Sequence, residues 1–370
     1  MILKIIHCFW IGMSALALVS LAIGFRNGVS GATDFQWMPA KALLSGIDPY
    51  VAEVGGPTFA CYAPSCLLLL TPWTLISEDT ARVVWLVMNI VFMLAFLLVM
   101  CRLFVRPGER SKWLFGMTVL MFLSLPFRQL LECGQHIGFS LAFFSLALLC
   151  SRRGWWLVSG LCLIPAAFKY TSMIPLMCVF VMMGCWRELG VAILGHVLLT
   201  LLAALLSGTA PWVLILGSLR IGTTQTGEGI ADLASLAAVL GCSAVDIWAI
   251  VGYAICLGGL ICLCVRFRGM SHGDGLLPIL ALLATFSCCA CYHRLYDFTV
   301  LLIVPFLMPR LCRGRWAVVL TLGWFFVGFR ALAPFASTAV VIVISFSMIL
   351  MLLAVLLVQV EKAFQGRVCK

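Results

Sequence analysis

The chain has 370 residues, of which 64% are hydrophobic and only 10% charged, and its mean hydropathy is +1.15. Soluble domains carry roughly 25% charged residues, so this composition excludes a soluble globular protein. The net charge of +10 is spread over loops as the positive-inside rule expects, which argues against a nucleic-acid partner.

In chain order, about twelve spans are predicted, at 5–25, 81–101, 113–131, 137–151, 154–168, 172–186, 189–208, 244–265, 276–291, 298–309, 316–332 and 338–360, judged against a hydrocarbon core of roughly 30 Å. The fold class expected is an all-α polytopic membrane protein, with residues 1–370 forming a single transmembrane domain. More spans follow the first run, so it reads as a span and not as a signal peptide. The segments 154–168, 172–186 and 298–309 are shorter than the usual minimum of about 17 residues. Segments that short usually meet a water-filled cavity or re-enter. Sixteen of the 24 Lys and Arg residues fall on one side of this arrangement and eight on the other. That asymmetry places both termini in the cytoplasm.

The outer side carries the sizeable loops, 26–80, 126–136 and 209–243. In the first, QWMPAKALLSG sets Trp37, Ala40, Leu43 and Leu44 at helical spacing, which suits a short helix lying in the membrane interface. The run CLLLLTPWTLI is too short to span and reads as a second interfacial helix, ended near Thr71 and Pro72. There is no P-loop or Gly-rich strand–turn–helix to hold a nucleotide. Most of the 18 cysteines lie inside apolar runs, where a thiol is a small hydrophobe. Cys288 and Cys291 form a CxxC near His293, but no second ligand pair follows, so neither a metal site nor a cofactor is expected.

Four outer segments concentrate the polar residues. They hold Asp34 with Lys41, Asp48, Tyr50 and Tyr62; then Arg128, Glu132, Gln135 and His136; then Lys169 and Tyr170; and lastly Tyr292, His293, Arg294, Tyr296 and Asp297. Together they are an inventory for moving a group off a phosphate. Cations would neutralise the phosphate as it leaves, and a carboxylate would take the proton of the attacking hydroxyl. Asp34 is the candidate base, with N-cap of the interfacial helix as the plainer role. Asp48 suits a turn, Lys41 can snorkel, and Arg294 can simply pair with Asp297. Tyr62 and Tyr296 can be interfacial belt residues, and His136 and His293 can be satisfied structural histidines.

Four stretches occur in order: an Asp after the first span with AKALLSGIDPY; YAPSCLLLLTP; GQHIGFSLAFFSLALL followed by a basic pair and FKYTSMIPL; and YHRLYDFTVLLIVP. In these the chain resembles glycosyltransferase family 87 of the GT-C superfamily, and the phosphatidylinositol-mannoside mannosyltransferases in particular. The resemblance implies a GT-C-like bundle and inverting transfer of a sugar, mannose first, from a polyprenyl-phosphate donor to a lipid or glycan acceptor. It implies a hexosyltransferase of a bacterial inner membrane, acting at the periplasmic face. Asp34 then stands where the family's catalytic base stands, and the His293 position also carries a role. The donor phosphate would lie among Arg128, Lys169, His293 and Arg294, with Lys41, Tyr62, Gln135 and His136 as further substrate contacts. The family often has Lys-Pro where this chain has Lys169–Tyr170. The alternative class is a transporter or lipid flippase, which favours mid-membrane charges and inverted repeats. Here the ionisable groups sit at the outer ends of the spans, with His196 the main exception, and no repeat is present.

Overall fold

A computed structural model describes residues 2–32, 34–50, 60, 62–223, 231–243, 245–270, 273, 275–290, 293–311, 315–328 and 337–368. Among these residues the regular structure is all helical. The helices are α1 (Ile2–Gly31), α2 (Trp37–Leu44), α3 (Pro64–Leu70), α4 (Glu78–Phe104), α5 (Arg110–Leu123), α6 (Leu125–Cys133), α7 (Ile137–Arg152) and α8 (Trp156–Ala166). They continue with α9 (Tyr170–Met182), α10 (Trp186–Ser207), α11 (Pro211–Thr223), α12 (Leu233–Val239), α13 (Val245–Arg266), α14 (Leu276–Ala290), α15 (Arg315–Gly323) and α16 (Thr338–Val368). A 3₁₀ segment, Leu295–Arg310, lies between α14 and α15.

Six helices among the described residues are long and apolar enough to cross a membrane: His7–Gly31, Glu78–Phe104, Trp156–Met182, Trp186–Ser207, Ile247–Arg266 and Thr338–Lys362. A seventh is added if Pro107–Leu123 and Leu125–Cys133, bent by 63° at a short break, count as one broken span. Length and composition alone thus give six or seven spans among the described residues, short of the expected count of about twelve. The stretch Trp156–Met182 passes by length and composition, but it turns back on itself at the 3₁₀ turn Ala167–Lys169. Cys185 Sγ, just past its end, lies 3.5 Å from Ser151 Oγ, just before its start, so the segments expected at 154–168 and 172–186 are two short helices. Pro165 and Pro175 bracket that turn, and each withdraws a donor from the helical ladder. The Lys169 N–H leaves the ladder and donates to Ser140 Oγ on α7 at 3.2 Å. Other expected spans are shorter apolar helices, among them Ile137–Arg152, Leu276–Cys289 and Leu295–Pro309.

Two features of the chain place the functional face. The first is the close approach of α1 to α6. Gly24 and Gly28 lie one turn apart on α1. A Cβ at Gly24 would stand 2.9 Å from Arg128 Cγ, and one at Gly28 would collide with the Leu131 carbonyl and the Leu86 side chain. Small residues are how helices approach closely when lipid removes the hydrophobic drive between them. The second is capping. Ser124 Oγ accepts from the Phe127 N–H at 3.3 Å to start α6, and Gly134 in the left-handed region (φ 70°) ends it. Ser77 Oγ likewise accepts from the Thr80 N–H at 3.4 Å to start α4, whose first turn carries Glu78 and Asp79 and whose last carries Arg102.

Behind this face α7 packs on α4 and α8, and α10 packs on α8 and α3. Most of α3 is buried, and its Ser65 hydroxyl lies 2.9 Å from His196 Nδ1 on α10, which gives that span histidine a partner. The outward face of α10, with Leu194, Leu201 and Leu205, is exposed and apolar, as a lipid-facing surface would be.

Candidate active site

The turn after α1 carries Asp34. Its N–H donates to the Cys133 carbonyl at 2.9 Å, which ties the turn to the end of α6. Phe35 stacks on Trp85 with centroids 5.4 Å apart, and the Trp85 indole N–H donates to the Gly134 carbonyl at 2.9 Å. A Cβ on Gly134 would stand 2.9 Å from the Ala32 Cβ. Glycine is thus needed there twice, for its positive φ and for the closeness of the two turns. The N-cap position of α2 is held by Gln36, and no side chain caps that helix. Asp34 is therefore free of the capping role that its sequence position allows.

The Asp34 carboxylate instead faces Gln135, whose Nε2 donates to Asp34 Oδ2 at 2.5 Å. The Gln135 Oε1 accepts from the Tyr62 hydroxyl at 2.8 Å and from Lys169 Nζ at 3.3 Å. Lys169 Nζ also lies 3.3 Å from Asp297 Oδ1, and Asp297 Oδ2 lies 3.4 Å from His293 Nδ1. These last two are charge contacts without hydrogen-bond alignment: neither Asp297 Oδ1 nor His293 Nδ1 completes a hydrogen bond. Residues from four distant segments thus form one continuous polar chain, running Asp34, Gln135, Lys169, Asp297, His293.

Burial sharpens the electrostatics. Asp297 and His293 are each 1% exposed. Burial alone would raise the Asp297 pKa, but the Lys169 ammonium, His293 and the Arg294 N–H, which donates at 3.2 Å, outweigh it and hold Asp297 below its ordinary value. His136 is fully buried. Its ring is stacked on Phe168 at 4.6 Å and its Nδ1 is 3.2 Å from the Tyr62 hydroxyl. Burial first, then the nearby Lys169 charge, push its pKa well below 6.5, so it is a neutral ring in the wall. The Nε2 atoms of both His136 and His293 are buried without a hydrogen-bond partner.

The expected residues divide as follows. Asp34, Tyr62, Gln135, His136, Lys169 and His293 come together. Arg294 adjoins them through its backbone, its N–H donating to Asp297 Oδ2 at 3.2 Å. Lys41 is exposed on α2 with Nζ 4.6 Å from the Trp37 ring, outside the chain of contacts. Arg128 pairs with Glu132 at 2.9 Å, and Glu132 also accepts from Asn27 of α1 at 2.9 Å. That group binds α1 to α6 beside the polar chain. Asp48 accepts from the Tyr50 N–H at 2.8 Å in a turn, and the Tyr50 hydroxyl donates to the Tyr62 carbonyl at 2.5 Å. Tyr292 and Cys291 lie outside the described residues.

Asp297 is the residue that sequence reading left out of the site, having treated it as a partner for Arg294. Its place four residues after His293 was the available signal, because that spacing stacks two side chains on one face of a turn. Among the described residues no three His, Cys, Asp or Glu side chains group as metal ligands would.

Comparison with known proteins adds one finding. The family model for glycosyltransferase family 87 matches residues 59–291, well over half of the chain. No curated protein and no solved structure matches.

Proposed function

The chain belongs to glycosyltransferase family 87, and from that premise we propose that it moves a sugar from a polyprenyl-phosphate donor to a hydroxyl acceptor, with inversion, at the periplasmic face of a bacterial inner membrane. Mannose is the sugar we put first, and a lipid or glycan is the acceptor class. The excess of Lys and Arg on one side would set both termini in the cytoplasm. The shorter apolar helices would complete a GT-C-like bundle, with α2 lying along the outer interface.

The observation that carries this reading is the contact chain from Asp34 through Gln135 to Lys169, Asp297 and His293. It sets a carboxylate one amide away from a cation in a largely water-excluded place. In the proposed step the acceptor hydroxyl gives its proton to Asp34 while its oxygen attacks the anomeric carbon. The bond from that carbon to the donor phosphate oxygen breaks, and the electron pair leaves with polyprenyl phosphate. Lys169 and Arg294 would face the growing phosphate charge. The leaving group is already a stabilised anion, so no second carboxyl is needed to protonate it. Asp297 would hold Lys169 in place, and His293 would flank the phosphate with its unpartnered Nε2.

The test is sugar transfer from synthetic polyprenyl-phosphate donors by the full chain in membranes, wild type against Asp34→Asn. Loss of a general base lowers turnover by about 10²–10⁴-fold, and the variant should insert and fold as the wild type does. Unchanged turnover would remove Asp34 from the mechanism.

A further inference from the structure

At the ends of α4 and α7 remote from Asp34, five arginines line one cavity of about 490 Å³: Arg102, Arg106, Arg110, Arg152 and Arg153. α4 rises about 1.5 Å per residue, so this hollow is roughly 30 Å along the helix from Trp85, on the opposite face of the bundle. The floor is apolar, built by Leu103, Phe104 and Leu149.

The five are not compensated as three other described arginines are. Arg82 lies against Glu78 and Asp79, Arg128 against Glu132 and Arg266 against Glu361. None of the five has a carboxylate within ion-pair distance among the described residues, and no acidic side chain lines the cavity. Two are fixed by the backbone they face. Arg110 donates from Nε to the Val105 carbonyl at 3.2 Å and from Nη2 to the Arg102 carbonyl at 3.1 Å, and Arg152 Nη1 donates to the Leu103 carbonyl at 3.0 Å. They close the open carbonyl end of α4 and are held in position by it. Arg102, Arg106 and Arg153 are exposed, with Arg153 lying over the Trp155 ring at 5.3 Å.

Like charges gathered around one hollow repel until an anion enters. Planar guanidinium groups match phosphate oxygens in pairs, and basic pockets between membrane helices suit anionic headgroups. We propose that this cavity binds the phosphate of an anionic membrane lipid, whose chains run along the apolar floor. Arg110 and Arg152 form the preset part of the site, and Arg102, Arg106 and Arg153 close over the headgroup. Free inorganic phosphate offers the same oxygens but leaves the apolar floor unused.

The experiment is lipid titration of the full-length protein in detergent, read by native mass spectrometry near physiological ionic strength. Phosphatidylglycerol is compared with zwitterionic phosphatidylcholine. The test variant is Arg102→Gln/Arg106→Gln/Arg153→Gln, which leaves the two helix-closing arginines intact. The control variant, Lys112→Gln/Arg187→Gln/Arg268→Gln, removes the same charge from exposed positions outside the cavity. Phosphatidylglycerol should bind wild type and control alike, bind the test variant at least tenfold more weakly, and resist millimolar inorganic phosphate. Lysine at the three test positions should recover part of the loss, which separates charge from misfolding. Equal binding by the test variant would overturn the proposal, and so would an equal loss in both variants, which would mean a diffuse field in place of a site. Displacement by inorganic phosphate with no preference between the lipids would overturn it in favour of a free phosphate.

Discussion

Lys169 and Asp297 offer the most direct test of how the polar chain is held together. Their charged atoms are 3.3 Å apart, with side chains 14% and 1% exposed. At an effective dielectric of about 20, two unit charges at that distance attract by about 5 kcal/mol. Desolvation takes back much of that, at several kcal/mol per ion, so a net coupling of about 2–3 kcal/mol is expected. Lys169→Met leaves Asp297 buried with only His293 and the Arg294 N–H beside it, and breaking a buried pair on one side costs about 3–5 kcal/mol. Asp297→Asn removes the charge, keeps the shape and lets Lys169 rely on Gln135, so it should cost less. The double variant should then lie about 2–3 kcal/mol closer to wild type than the sum of the two single effects. Equilibrium unfolding in mixed micelles reads all four proteins. Asp297 is held below its ordinary value of 3.8, so its contribution is present above that pH and is lost as the pH falls through the depressed value. The Asn variant should lack that acid limb. Additive single effects, within about 0.5 kcal/mol, would refute the coupling and leave the two residues as neighbours.

Gln135→Leu should keep the fold but release the Asp34 carboxylate, lowering turnover by about 10²-fold with little change in acceptor KM; a rise in KM alone would make Gln135 a substrate contact only. Gly134→Ala and Gly154→Ala both force alanine into the left-handed region, at φ 70° and 77°, which costs about 1–2 kcal/mol. Only position 134 also meets a neighbour, the Ala32 Cβ at 2.9 Å, while position 154 is open. Gly134→Ala should therefore lower Tm further, and equal shifts would contradict the close approach of the two turns. His136 is neutral in the fold with its pKa well below 6.5, so the unfolded chain takes up a proton that the folded one does not. Stability should be full above pH 6.5 and fall below it by up to about 1.4 kcal/mol per pH unit. His136→Phe, which can keep the stack on Phe168, should flatten that limb, and an unchanged slope would assign it elsewhere.

The apolar runs and the polar turns were legible in the chain because each is a local pattern. Asp34, Gln135, His136, Lys169 and His293 stand out against nearly uncharged surroundings, and four distant stretches fall on one face if the spans simply alternate. The break between 154–168 and 172–186 was legible too. A Lys-Tyr-Thr interruption of an apolar run reads as a turn, and the chain does reverse there, with Ser140 accepting the Lys169 N–H and Cys185 returning to Ser151. Arg128 is placed otherwise. Its sequence neighbourhood is as polar as that of Lys169, but Glu132 one turn later and Asn27 on α1 draw it into a helix junction. Charge and position alone do not tell a ligand from a clamp. Asp297 was passed over because a nearby Arg294 supplied an easy partner, whereas the fold uses Asp297 to hold Lys169.

The interposed Gln135 bears on how the proposed chemistry would work. Were Lys169 paired directly with Asp34, the ammonium would occupy the lone pairs that an acceptor hydroxyl must reach. The amide prevents this. Its Nε2 takes one Asp34 oxygen and its Oε1 takes Lys169 and Tyr62, so the carboxylate is oriented by a neutral donor and its second oxygen stays available. Asp297 then supplies the charge that Lys169 requires when no phosphate is present. In the proposed step an incoming donor phosphate would compete with Asp297 for that cation and leave the Gln135–Asp34 bond intact, so donor binding and acceptor activation would be adjusted on opposite sides of one ammonium.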